Sequence, residues 1–149
     1  MNRTPFGITI AYGMPAIGAG YMYLLMSLYV MKFSTDVLLI APAVMGVIFS
    51  ISRIWDAVSD PIAGYLSDRT TFNFGRRRTW ILVSFIPISL GFLAVFSPPE
   101  SIQGQSLDLW MLIAILSFYS AITLLNVPHM ALGAELSEDY HERTRLFGV

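Results

Sequence analysis

Four long apolar runs, 7–30, 40–66, 79–96 and 109–132, take up most of this chain. A helix needs about 20 apolar residues to cross the hydrocarbon core of a bilayer, and each run is close to that length or above it. An open sheet edge would strand its N–H and C=O groups in lipid, so the runs are expected to be helices. The fold class expected is therefore an all-α membrane protein. Composition agrees: 13% of the 149 residues are charged, about half the share of a typical soluble domain, and the mean hydropathy is +0.63. The chain has no cysteine, which excludes a disulfide framework and a thiolate metal site. The first apolar run is longer than a signal-peptide core and has no small-residue cleavage site after it, so it is expected to stay as the first anchor.

The charges between the runs are lopsided. Arg3 precedes the first run, Arg69, Arg76, Arg77 and Arg78 lie between the second and third, and Arg143 and Arg145 follow the fourth; the other two loops hold Lys32 as their one basic residue. Basic residues accumulate on the cytoplasmic side, so both termini and the loop 67–78 are expected there. The protein is expected to be multi-pass in the plasma (inner) membrane, with its N-terminus cytoplasmic. The external loop 97–106 carries the Pro and Gly punctuation of a turn.

The second run contains Arg53, Asp56 and Asp60. A charge at bilayer depth costs at least about 2.5–3.5 kcal/mol, so such residues face a protein interior or a wet cavity and find partners. Separations of three, four and seven put all three on one helical face. Two carboxylates one turn apart can converge on a small hard cation such as Na⁺, and a proton shared between them can take its place. The bland alternative is an Arg53–Asp56 pair that only permits insertion. Pro61 has no N–H, which frees a backbone carbonyl as a further oxygen ligand.

Other runs carry weaker signals. Gly7, Gly13, Ala16, Gly18, Ala19 and Gly20 suit close helix packing or a substrate groove. Tyr12, Tyr21, Tyr23 and Tyr29 suit interfacial anchoring or stacking on a sugar. His129 is either a substrate or proton contact near the cytoplasmic side or a polar residue close to a helix end.

Directly after the charged run comes Gly64-Tyr65-Leu66-Ser67-Asp68-Arg69, followed by Gly75-Arg76-Arg77-Arg78. Topogenic charge explains the arginines but not the Gly-x-Leu-x-Asp-Arg pattern. That pattern resembles the loop joining the second and third helices of major facilitator transporters. With Arg53-Ile54-Trp55-Asp56 and Asp60-Pro61, the chain resembles the glycoside–pentoside–hexuronide:cation symporters, the melibiose-carrier branch of that superfamily. Tyr21-Met22-Tyr23-Leu24, Thr35-Asp36-Val37, Asn126-Val127-Pro128 and 135–144 add supporting matches, so the likeness runs from about Tyr12 to Leu146.

The resemblance implies the first four helices of a 12-helix transporter. Residues 1–149 would form an incomplete N-terminal half, stopping at the start of a fifth helix near Arg145. It implies a cation site made by Asp56, Asp60, Ser59 and Thr123, with Arg53 beside it for coupling or gating. No cofactor is implied beyond the coupling ion, Na⁺ or H⁺, and no metal beyond that possible Na⁺. The substrate-pocket candidates are Gly20, Tyr23, Asn126 and His129. Gly20 and Asn126 stand where the melibiose carrier has sugar-binding carboxylates, and losing both removes the charge-assisted bonds to a neutral sugar. A sugar acid or an amphipathic lipid-like substrate fits a site stripped of negative charge, and a sugar or sugar acid is favoured by analogy. The expected partners are that small molecule and the bilayer, with no nucleic acid, and the full-length carrier is expected to be monomeric.

Two other classes compete. One is a self-contained four-helix membrane module or partner subunit, which would accumulate as a defined oligomer. The other is a membrane-embedded enzyme using Asp56 and Asp60. The sequence has no third carboxylate nearby, no H-E-x-x-H pair and no phosphate-cradling glycine loop, so an enzyme is not expected.

Overall fold

The computed structural model describes residues 6–70 and 76–136. They form four helices: α1 (Phe6–Lys32), continued by a π-helical turn (Phe33–Val37), α2 (Pro42–Arg69), α3 (Arg76–Phe96) and α4 (Gln105–Leu136). Each falls on one of the four apolar runs.

The ends of the helices follow from local chemistry. Leu39 takes a left-handed φ of 56°, which turns the chain back sharply after the π-helical turn. Pro42 then opens α2, where its fixed φ suits a first helical turn and its missing N–H would have had no partner. At the other end, the Thr70 hydroxyl donates to the Leu66 carbonyl at 2.6 Å. Gly104 sits at φ 60°, and its carbonyl accepts the N–H groups of Leu107 and Asp108 at 2.9 and 3.2 Å, starting α4.

Residue pairings across the helices fix their directions. On α2 and α4 the partners rise together, Trp55 with Ser120 and Asp60 with Thr123, so these two helices are parallel. Between α1 and α4 the order reverses, Tyr12 with His129 and Tyr23 with Tyr119. Between α3 and α4 it also reverses, because Phe92 meets Phe118 while Ala94 meets Trp110. The result is an up-and-down arrangement with α4 at its centre. Met111, Ile115, Phe118 and Leu125 of α4 are fully buried, packed with Met26 and Val30 of α1, Met45 of α2, and Ile88 and Val95 of α3.

The tightest helix contact is α3 on α4, and Gly91 is the reason. A Cβ at position 91 would lie 2.9 Å from the Phe118 Cα, so only glycine lets the two backbones come this close. The Trp110 indole then donates to the Ala94 carbonyl at 2.9 Å. The outer side of α3 shows Leu82, Val83, Ile86, Leu90 and Leu93, an apolar surface of the kind lipid tails cover.

Among the described residues, three segments are long and apolar enough to cross a membrane: Tyr12–Val37, Thr79–Phe96 and Gln105–Leu132. Helix α2 is not among them, although it has 28 residues. Its shortfall lies in Arg53, Asp56 and Asp60, which dilute an otherwise apolar helix. The small residues of the first run divide, with Gly13 and Ala19 buried and Ala19 in the core. Gly18 and Gly20 have open space where a Cβ would stand, so they bring no helix of this bundle close to α1. Gly75, the side chains of Arg76, Arg77 and Arg78, and the expected fifth helix near Arg145 lie outside the described residues.

Candidate cation site between α2 and α4

Arg53, Asp56 and Asp60 occupy one side of α2, as their spacing requires. The structure gives each a different surrounding. Asp60 reaches across to α4, where the Thr123 hydroxyl donates to its Oδ1 at 2.9 Å. Thr123 is buried, so this bond holds a carboxylate against the core helix. Asp56 stays on its own helix. Its Oδ2 lies 3.4 Å from an Arg53 guanidinium nitrogen, with the Arg53 side chain 60% exposed and that of Asp56 23%. That distance is long for a charge-assisted bond, which normally closes to about 2.7–2.9 Å. The pair is therefore loose.

The other oxygen of Asp56 matters more. Oδ1 is buried and has no hydrogen-bond partner. A buried carboxylate oxygen left unpaired carries its full desolvation penalty, so the site favours a positive guest there. The residues fit a small hard cation. The donors are oxygens of two carboxylates one turn apart, joined by a hydroxyl from the facing helix, which is the chemistry such ions choose. Helix α2 runs through Pro61, which has no N–H to offer the Ala57 carbonyl four residues earlier. Among the described residues no group of three or more His, Cys, Asp or Glu comes together as a transition-metal site would need.

Ser59 does not turn toward α4. Its hydroxyl donates back to the Asp56 carbonyl at 3.3 Å, within its own helix. Arg53 extends over the Tyr119 ring, 5.4 Å from its centroid, and Tyr119 meets Tyr23 of α1 edge-on at 6.0 Å. These contacts join Tyr23 to the charged face. Gly20 and Asn126 are both exposed.

His129 lies elsewhere. Its ring stacks on Tyr12 at 4.1 Å, the planes 14° apart. Its Nε2 lies 2.7 Å from the Tyr12 carbonyl, while the Tyr12 hydroxyl donates to the His129 carbonyl at 3.1 Å. Because a carbonyl only accepts, Nε2 must carry the proton. The imidazole is thus committed to clasping α4 to α1. In the Gly64-to-Arg69 motif, Gly64 faces Val127 at ordinary contact distance, and the Arg69 guanidinium lies 4.3 Å over the Tyr65 ring.

Sequence reading alone did not pick out Tyr119 and Ser120. A usable signal was present: Tyr119, Ser120, Thr123 and Asn126 place polar groups at helical spacing along an otherwise apolar α4.

Comparison with known proteins places the chain as a whole. A family model described as MFS/sugar transport protein matches residues 11–149. The chain belongs to that family. Its relatives place it in the glycoside–pentoside–hexuronide:cation symporter branch of the major facilitator superfamily, a family of transporters and not of enzymes. The uncharacterized symporter sll1374 of Synechocystis is 37% identical over 97% of this chain and 28% of its own length. The sodium-dependent lysophosphatidylcholine symporter 1-A of Danio rerio is 37% identical over 74% of this chain and 21% of its own. The isoprimeverose transporter of Lactiplantibacillus pentosus is 26% identical over 97% of this chain and 30% of its own. The chain thus spans less than a third of the length of these relatives.

Proposed function

We propose that this chain carries the cation site of a Na⁺- or H⁺-coupled symporter. Its ligands are Asp56, Asp60 and Thr123, with Ser59 turning toward the ion when it binds. The observation that carries this reading is the buried, unpartnered Asp56 Oδ1, one turn from a carboxylate already held by α4. A proton or Na⁺ at that oxygen relieves its desolvation penalty. Arg53, loosely paired and resting on Tyr119, is the group that can change partners when the ion arrives, which is what coupling needs.

The substrate proposed is a sugar, glycoside or sugar acid, as the name of the isoprimeverose transporter suggests. Tyr23, Gly20 and Asn126 remain the pocket candidates, with Tyr23 supported by its contact to Tyr119, whereas His129 is engaged with Tyr12. A second reading, a lysophospholipid-type substrate, draws on the Danio rerio relative and on the lack of a carboxylate at positions 20 and 126. The N-terminus is proposed to be cytoplasmic, as the arginine distribution favours, in an inner membrane and as a monomer.

The test is uptake into proteoliposomes holding the full-length polypeptide, driven by an imposed Na⁺ or proton gradient. The substrates tried are a neutral glycoside, a glucuronide and a lysophosphatidylcholine. Asp56→Asn and Asp60→Asn are each expected to abolish gradient-driven accumulation while leaving exchange down the substrate gradient. Uphill accumulation at wild-type level in both variants would remove these carboxylates from coupling.

A further inference from the structure

Between the Arg53–Tyr119 contact and the Asp60–Thr123 bond lies another polar contact of α2 with α4. The Trp55 indole donates to the Ser120 hydroxyl at 2.7 Å. Ser120 in turn donates to the Leu116 carbonyl one turn back along α4, at 2.8 Å. The direction of both bonds is forced. An indole N–H only donates and a carbonyl only accepts, so the single serine proton goes to Leu116 and a lone pair faces Trp55.

Trp55 is not held there by burial, since it remains 44% exposed. Nor does it stand where interfacial tryptophans stand, because position 55 is the middle of Pro42–Arg69 and not an end. Phenylalanine would supply the same apolar body. What tryptophan adds is the N–H, and that N–H is used to reach α4.

We infer that Trp55 and Ser120 are positioning residues for the cation site. Their bond sets the register of α2 against α4 so that Thr123 meets Asp60 and Asp56 Oδ1 stays directed away from other protein donors. Trp55 adjoins Asp56, and Ser120 lies one turn before Thr123. A helix rises about 1.5 Å per residue, so a slip of a single residue is enough to break a 2.9 Å bond such as Thr123 to Asp60. Neither Trp55 nor Ser120 touches the ion in this account; they act through the oxygens they align. The inference rests on the cation-site reading given above.

The experiment measures radioactive Na⁺ binding to the purified full-length polypeptide, with choline replacing Na⁺ at constant ionic strength. Trp55→Phe and Ser120→Ala are each expected to weaken Na⁺ binding about fivefold, the worth of one net hydrogen bond. The double variant is expected to be no weaker than either single one, because both remove the same bond. Ser120→Thr keeps the acceptor and is expected to keep wild-type affinity, which a purely steric role for position 120 would not allow. Single variants that bind like wild type, or losses that multiply in the double variant, overturn the positioning role while leaving the carboxylate site intact. Wild-type protein with no saturable Na⁺ binding overturns the Na⁺ site itself, and this role with it. Should Trp55→Phe fail to fold, the Ser120→Ala and Ser120→Thr pair decides the question alone.

Discussion

Helix α4 meets two neighbours in two different ways. Against α3 it packs backbone to backbone, with Gly91 pressed on Phe118 so closely that a Cβ would stand 2.9 Å from a main-chain atom. Against α2 the equivalent glycine, Gly64, would place its Cβ 3.6 Å from the tip of Val127. There the helices are joined by side-chain bonds, Trp55 to Ser120 and Thr123 to Asp60. In lipid no hydrophobic force drives helices together, so they associate through close packing or through polar contacts. The chain uses packing where α4 needs a fixed support. It uses polar contacts where a charged guest would have to come and go, since a few hydrogen bonds can exchange partners more readily than a close-packed seam. On the proposed cation-site reading, the α3–α4 pair is the scaffold and the α2–α4 pair is the working face.

That comparison can be broken, beginning with its largest expected effect. Gly91→Ala forces a methyl group against the Phe118 backbone, and overpacking of this kind costs about 1–3 kcal/mol. It should appear as a clear drop in the thermal midpoint of the protein in detergent micelles. An unchanged midpoint would mean that α3 and α4 are not tightly locked. Next comes Thr123→Val, which keeps the shape of the side chain but removes the donor to Asp60. A hydrogen bond to a charged group contributes about 1.5–3 kcal/mol, so Na⁺ affinity should change at least about tenfold, with Thr123→Ser close to wild type. Equal effects from Val and Ser would show that position 123 contributes shape and not a hydroxyl. The smallest effect belongs to Gly64→Ala, expected to stay within about 0.5 kcal/mol in the same thermal assay. A loss as large as that of Gly91→Ala would erase the distinction between the two interfaces.

Much of this was legible in the chain itself. The four runs became four helices, because bilayer thickness and backbone satisfaction leave little alternative. The shared face of Arg53, Asp56 and Asp60 followed from helical spacing alone. The spacing also left a choice that it had no means to make, between Asp56 pairing with Arg53 and Asp56 waiting for a cation. The structure shows one Asp56 oxygen loosely paired with Arg53 and the other buried without a hydrogen-bond partner. The glycines of α1 teach the opposite lesson. Gly18 and Gly20 have the composition of a packing seam, yet both face open space, because a small residue permits close approach without requiring it.

What the sequence determined by itself, then, is local and periodic: helix positions, the face that each charge occupies, and a family pattern strong enough to match along residues 11–149. These rest on interactions within a few residues of one another or between one helix and its solvent. Tertiary structure alone decided which polar side chains meet between helices. Thr123 and Asp60 are 63 residues apart, Trp55 and Ser120 are 65 apart, and Tyr12 and His129 are 117 apart. No spacing along the chain encodes such pairs, because they depend on how one helix is rotated and shifted against the next. That register depends on contacts between helices, which local spacing does not specify.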